Sequence, residues 1–306
     1  MGPGLERGEG LIEASAAQKG SAGRKLAGLF HGRPRLQAGA LLAGPVGWLV
    51  VGYLGSLAVL LITSFWTLGE LSGEIEQTFT LDNYKDVVSE SVYRSVTGRT
   101  VLIAALVTVT DVLLAFPIAF YMAKVAKPRM RGVLVVAVLV PLWSAYLVKA
   151  FAWRGILSEE GVLNWVLEPL GINGPGYGLV AVWLVMSYIW LPYMIIPIYA
   201  GLERIPNSLL SASDDLGAKP AYTFRRVILP LVFPAVVAGS IFTFSLTLGD
   251  FITPNLVGSG EQFIGTLVVS NFTTNLPFAA AFAMVPIVIM IVYLLLARRL
   301  GAFEHL

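Results

Sequence analysis

From Pro169 to Leu202 the chain reads PLGINGPGYGLVAVWLVMSYIWLPYMIIPIYAGL, thirty-four residues without one Asp, Glu, Lys or Arg. The opening Pro169–Gly178, rich in Gly and Pro, reads as the approach to a helix that starts near Leu179. The remainder is long enough to cross the hydrocarbon of a bilayer, which takes about 20 residues rising about 1.5 Å each. Charge-free runs of the same kind extend over Leu36–Gly69, Gly132–Val148, Val227–Gly249 and Gln262–Ala297. A further apolar stretch, Thr100–Ala123, is interrupted only by Asp111. Gly132–Val148 is the short one and is expected to continue past Lys149. Gln262–Pro277 is expected to be loop before a last helix over Phe278–Ala297. The predicted fold class is an all-α membrane protein with six transmembrane helices.

Composition agrees. Of 306 residues, 56% are apolar and 13% charged, where a soluble chain carries about 25% charged residues. So little charge cannot cover a water-soluble surface, which excludes a soluble enzyme and a disordered scaffold as first readings. The net charge of +2 gives no reason to expect a nucleic-acid partner. With no cysteine, there is no disulfide framework, thiolate metal site or cysteine nucleophile. The two histidines, His31 and His305, lie near the termini, so neither a metal centre nor a catalytic residue is expected. No P-loop, H-E-x-x-H, EF-hand or G-x-S-x-G pattern occurs.

Six spans put both termini on one side. With the N-terminus inside, sixteen of the 21 lysines and arginines fall on inside segments, and only Lys85, Arg94, Arg99, Lys149 and Arg154 fall outside. This asymmetry predicts cytoplasmic termini by the positive-inside rule. Residues 1–35, polar and without periodicity, are expected to form a disordered cytoplasmic tail, and residues 36–306 the membrane domain.

The inside segment 201–230, between the fourth and fifth spans, is the most informative. Pro206 and Asn207 offer helix-start chemistry, and Gly217 a left-handed stop. Between them a short helix places Leu209, Leu210, Ser213 and Leu216 on one stripe. A second helix is expected from Pro220, with Pro230 marking membrane entry. So short a helix is marginal in water and must dock on something. Asp214 and Asp215 sit in its last turn, where the helix dipole disfavours anions. Either they pair locally with Lys219, Arg225 or Arg226, or they face a partner groove.

That segment resembles the EAA motif of ABC-importer permeases, in which Glu-Ala-Ala precedes a Gly and then Ile-x-Leu-Pro. Here Ser211, Ala212 and Ser213 fall on the Glu-Ala-Ala positions, with Gly217, Val227, Leu229 and Pro230 following at the same spacing. Ser211 replaces the family glutamate. Phe79–Tyr84, Ala115–Lys124, Pro141–Tyr146 and Gly249–Gly258 resemble the spermidine/putrescine permeases of the PotB type. The resemblance implies the MetI-like fold of a type I ABC importer in a bacterial inner membrane, importing polyamines. It implies an ATPase-coupling role for Ser211, Ala212, Asp214, Asp215, Gly217, Leu229 and Pro230. The implied partners are two cytoplasmic ATP-binding cassette subunits, a second permease (PotC-like or a second copy) and an external solute-binding protein reaching loops that include Leu68–Arg99. No cofactor is expected in this chain, ATP being used by the partner subunits.

Two acids lie within apolar sequence, at an insertion cost of about 2.5–3.5 kcal/mol if ionised at mid-bilayer. Asp111 stands about 16 Å along its span from Thr100, near the middle. Asp250 stands about 28 Å from Leu231, near the external mouth. Both are candidates to line a path favouring a cationic solute. The alternative for Asp111 is a hydrogen bond to a neighbouring helix through Thr108, Thr110 or a partner subunit. Trp143 and Tyr146 are candidates for cation–π walls, with packing the alternative. Other readings are a like permease for ferric ion, an organophosphonate or an opine-like compound, and an intramembrane Asp-dependent hydrolase.

Overall fold

The structure, a computed structural model, describes residues 34–69 and 73–299. The tail expected over 1–35 lies outside the described residues up to Arg33, as do His31 and His305. Helix α1 already begins at Pro34 and runs as Pro34–Trp48, a π-helical stretch Leu49–Leu54, and Gly55–Thr63. Over Leu41–Thr63 it is apolar all round, with Leu41, Trp48 and Val51 exposed, as suits a surface solvated by lipid rather than water.

From Leu61 onward the chain forms a second unit. A two-residue antiparallel pair, β1 (Thr67–Leu68) with β2 (Ile75–Glu76), precedes the short helix α2 (Asp82–Ser89). The Asn83 amide donates to the carbonyls of Ser64 and Trp66 at 3.0 and 2.8 Å and ties this segment down. Then come α3 (Ser91–Phe120, continued by a π turn Tyr121–Val125), α4 (Pro128–Trp143), α5 (Tyr146–Leu157) and α6 (Val162–Leu167). They are followed by α7 (Leu179–Glu203), α8 (Asn207–Asp215), α9 (Pro220–Gly249), α10 (Ile252–Val257), α11 (Ile264–Phe272) and α12 (Leu276–Arg299).

Five of the described helices are long and apolar enough to cross a membrane on their own: Leu41–Thr63, Ser91–Val125, Leu179–Glu203, Pro220–Gly249 and Leu276–Arg299. The third of the six expected spans differs from the straight helix expected there. α4 and α5 form a pair bent by 92° at Ser144–Ala145. The bend frees the Pro141 carbonyl, and the Lys149 ammonium donates to it at 3.1 Å. A freed carbonyl at membrane depth needs such a partner, since lipid offers none.

The second span begins at Ser91, well before Thr100, so its first turns project beyond the apolar stretch. α9 starts at Pro220, as expected, and runs on through Pro230. A π-helical segment, Phe224–Ile228, precedes the proline and absorbs the missing N–H and the ring's demand for space. The stretch expected as loop before the last span contains α11, a nine-residue helix.

The core lies where α3, α7 and α9 meet. α3 contributes Ile103, Ala104, Val107, Ala115 and Ala119, a stripe at helical spacing. α7 is the most enclosed span, with half of its apolar window buried. Without a hydrophobic drive in lipid, such contacts rest on close packing.

Candidate functional site

Two regions of the second unit gather the residues singled out above. One is at the end of α9, the other at the opposite end of the spans, around α8.

Asp250 ends α9 as the chain turns extended, at φ −72° and ψ 120°. Its carboxylate is almost fully buried. Oδ1 accepts from the Tyr146 hydroxyl at 2.5 Å and from the backbone N–H groups of Ile252 and Thr253 at 2.9 and 3.1 Å. Oδ2 accepts from the Thr253 hydroxyl at 2.7 Å. The two backbone bonds make Asp250 the cap of α10, an Asx arrangement readable from Asp followed three residues later by Thr. Tyr146 opens α5 just beyond the bend, so the break in the third span is what delivers its hydroxyl to Asp250.

The Tyr146 ring stacks on Trp190 of α7, with centroids 5.6 Å apart and planes 14° from parallel. These rings, Ser245, Leu246, Gly249, Asp250, Phe251 and Ile252 line a recess of about 270 Å³. Sequence reasoning found Asp250 and Tyr146 but missed Trp190 and Thr253. Trp190 sits among other aromatics of an unbroken apolar run, which gave no signal to prefer it.

Asp111 and Trp143 do not line this recess. Asp111 is fully buried within α3, and neither carboxylate oxygen has a hydrogen-bond partner among the described residues. The bonds through Thr108 and Thr110 do not form: Thr108 donates to the Ala104 carbonyl at 2.7 Å, and Thr110 accepts from the Trp183 indole at 3.1 Å. Trp143, the last residue of α4, is 88% exposed.

At the other end, α8 stops at a complete Schellman motif. Gly217 adopts φ +73°, its N–H donates to the Asp214 carbonyl at 2.8 Å, and the Ala218 N–H donates to the Ser213 carbonyl at 3.1 Å. Leu210 packs into the core, whereas Leu209 and Leu216 are exposed. Ser211, Ala212, Asp214 and Asp215 are exposed too, and neither aspartate forms an ion pair among the described residues. Leu209, Ala212, Leu216, Gly217 and Tyr222 help line an open depression of about 690 Å³. Leu229 and Pro230 lie outside it, at the entry to the membrane part of α9.

The mount beneath α8 was not foreseen. Lys124 donates to the Ile205 carbonyl at 2.6 Å and to Asn207 Oδ1 at 3.4 Å. The Arg131 guanidinium caps the end of α3 through the carbonyls of Met122 and Ala123, at 3.1 and 3.0 Å, and pairs with Glu203 at 3.2 Å. Tyr199 also donates to Glu203, at 3.0 Å. The Ser213 and Thr223 hydroxyls, 2.7 Å apart, join α8 to the start of α9. In the sequence these cations registered only as part of a charge asymmetry.

Residues 99–303 match the family described as binding-protein-dependent transport system inner membrane component. The chain is 43% identical over 299 residues to the inner membrane ABC transporter permease protein YdcU of Escherichia coli K12, covering 92% of this chain and 95% of that one. It is 31% identical over 261 residues to the spermidine/putrescine transport system permease protein PotB of the same organism, covering 83% and 94%. Among solved structures, it is similar to a chain of a bacterial alginate ABC transporter in complex with an alginate pentasaccharide-bound periplasmic protein. That TM-score is 0.65 at 17% identity, over 85% of this chain and 93% of the other.

Proposed function

The chain belongs to the family of binding-protein-dependent transport system inner membrane components; it is a multi-pass permease subunit of an ABC importer, not an enzyme, and from that premise we propose that its solute is a polyamine such as spermidine or putrescine. The observation that carries the solute class is the recess at Asp250. Oδ1 already accepts three donors and Oδ2 only one. An ionised carboxylate has about four acceptor positions, so Oδ2 keeps one for an ammonium group. The stacked faces of Tyr146 and Trp190 offer the neighbouring methylenes an apolar wall and the cation a favourable quadrupole. The 31% identity to a spermidine/putrescine permease supports the same solute class.

In this reading both termini are cytoplasmic, as the distribution of basic residues suggests, and α8 is the coupling helix. Two ATPase subunits grip α8 and its counterpart on a second permease. An external binding protein delivers the solute at the opposite face. The exposed apolar residues Leu209 and Leu216 and the unpaired Asp214 and Asp215 give α8 a surface fitted to a partner. ATP-driven closure of the ATPase pair draws the coupling helices together and rocks the spans between inward- and outward-facing states, a two-state change biased by nucleotide.

The test is uptake by proteoliposomes carrying the chain with the partner permease and ATPase that co-purify with it, supplied with the cognate binding protein. ATP-dependent accumulation of radiolabelled spermidine or putrescine, and none of an anionic solute, is the expected result. Uptake of a non-cationic solute by the same vesicles, with none of either polyamine, overturns the solute class.

A further inference from the structure

A second recess, unconnected with the path, lies between α2, α3 and α12. Val87, Val88, Met284, Val285, Val288 and Ile289 supply most of its wall, around a volume of about 330 Å³. Arg94 is the one charged residue of the lining. We propose that this recess seats one membrane phospholipid, its phosphate on Arg94 and an acyl chain in the groove below.

The depth relationship carries the assignment. Tyr93, the neighbour of Arg94, packs its ring on Phe278 and Phe282, with centroids at 4.8 and 5.7 Å. Arg94 is therefore level with the first turns of α12. From that level the α12 side of the groove runs from Ala281 to Ile289, a descent of about 12 Å along the helix. A hydrocarbon leaflet is about 15 Å deep, half of the about 30 Å core. A cation at the top and an apolar trough of leaflet depth beneath it match the order of phosphate and acyl chain in a phospholipid.

Arg94 is held ready for such a ligand. Its Nη1 donates to the carbonyls of Val88 and Ser89, the unpaired end of α2, at 3.0 and 2.9 Å. Nε and Nη2 have no hydrogen-bond partner among the described residues, and neither Asp86 nor Glu90 forms an ion pair with the guanidinium. The free edge of a guanidinium fixed in this way suits phosphate oxygens. The leaflet concerned is the one at the end of the spans away from α8.

The experiment is native mass spectrometry of the purified transporter complex in detergent, titrated with phosphatidylglycerol and phosphatidylethanolamine, with inorganic phosphate as a parallel arm. The wild type is expected to retain one more tightly held lipid than Val288→Trp, which fills the trough. Arg94→Gln is expected to weaken that lipid by about tenfold or more while still assembling with its partners. Inorganic phosphate alone is expected not to bind. Equal lipid retention by all three proteins overturns the proposal, as does phosphate binding that lipid does not displace. The chain has no native cysteine, so Val288→Cys adds a single-site probe. Its cross-linking to a partner permease in native membranes makes the groove a protein interface and also overturns the lipid assignment.

Discussion

The Tyr146 hydroxyl donates a 2.5 Å hydrogen bond to Asp250 Oδ1, joining the first residue of α5 to the residue that ends α9, 104 positions later in the chain. The bond serves two ends that ordinary mutagenesis confounds. It braces the bend of the third span, and it orients a carboxylate on the wall of a recess. Asp250→Asn keeps an oxygen at the Oδ1 position and the α10 cap, since Asn caps nearly as well as Asp. It removes the negative charge. The expected outcome is a rise of about tenfold in the concentration of binding-protein-bound polyamine needed for half-maximal uptake, with normal assembly. Unaltered uptake kinetics would make Asp250 a purely structural cap.

Tyr146→Phe should separate the brace from the charge. It leaves the carboxylate and the Trp190 stacking intact and deletes the charge-assisted hydrogen bond to Asp250, worth about 1.5–3 kcal/mol, together with the 2.8 Å contact between the hydroxyl and Thr253 Oγ1. Thermal unfolding in detergent should fall by several degrees, with solute selectivity unchanged. A variant as stable as the wild type means that the bond does not brace the bend, and the contact of Lys149 with the Pro141 carbonyl carries it instead.

Gly217→Val tests the proposed coupling role of α8 at its stop. A residue with Cβ in the left-handed region costs roughly 1–2 kcal/mol, and a β-branched one pays more. The two terminal bonds of the Schellman motif break with it. The variant should reach the membrane but retain the ATPase subunits about tenfold less well in pull-down, with uptake lost in proportion. Gly217→Asn, which tolerates φ > 0, should keep most of both. Equal behaviour of Val and Asn at this position removes the left-handed stop from the coupling mechanism.

Lys124→Met probes the mount. Loss of its bonds to Ile205 and Asn207 frees the entry to α8 without touching the exposed surface of the helix. Hydrogen exchange over Asn207–Leu216 should quicken, and solute moved per ATP hydrolysed should fall several-fold while ATPase binding persists. Slower uptake with unchanged exchange places the effect elsewhere.

How far the fold and the sites could be read in advance follows from what each rests on. Spans announce themselves through charge-free length, because lipid tolerates little else, and Gly217 was readable because its conformation demands its residue type. The bend between α4 and α5 left no such mark. Prolines also sit in spans that run unbroken, as Pro192 and Pro197 do in α7, and the partner that makes the break tolerable, Lys149, lies beyond the apolar run. The same holds at Asp250. Its cap on Thr253 is a local pattern, visible in the order of residues, whereas Tyr146 and Trp190 arrive from two other helices and depend on tertiary packing. The Asp111 carboxylate was visible as an oddity, but its lack of a hydrogen-bond partner among the described residues was not, since that depends on how the whole bundle packs.

The seam between α7 and α9 yields the last prediction. A Cβ placed on Gly201 would stand 2.5 Å from the Cβ of Ala235, and neither atom can rotate away. The helices must part for any larger residue, and in a membrane they are held by the very contacts this would break. Gly201→Ala should therefore cost about 1–3 kcal/mol, the usual range for overpacking, measured as unfolding in graded SDS. Pairing it with Ala235→Gly, which moves the methyl across the seam without adding volume, should recover most of the loss. If the double variant is no more stable than Gly201→Ala alone, the two spans do not meet at these residues, and the packing of α7 on α9 described here is wrong at that level of the bundle.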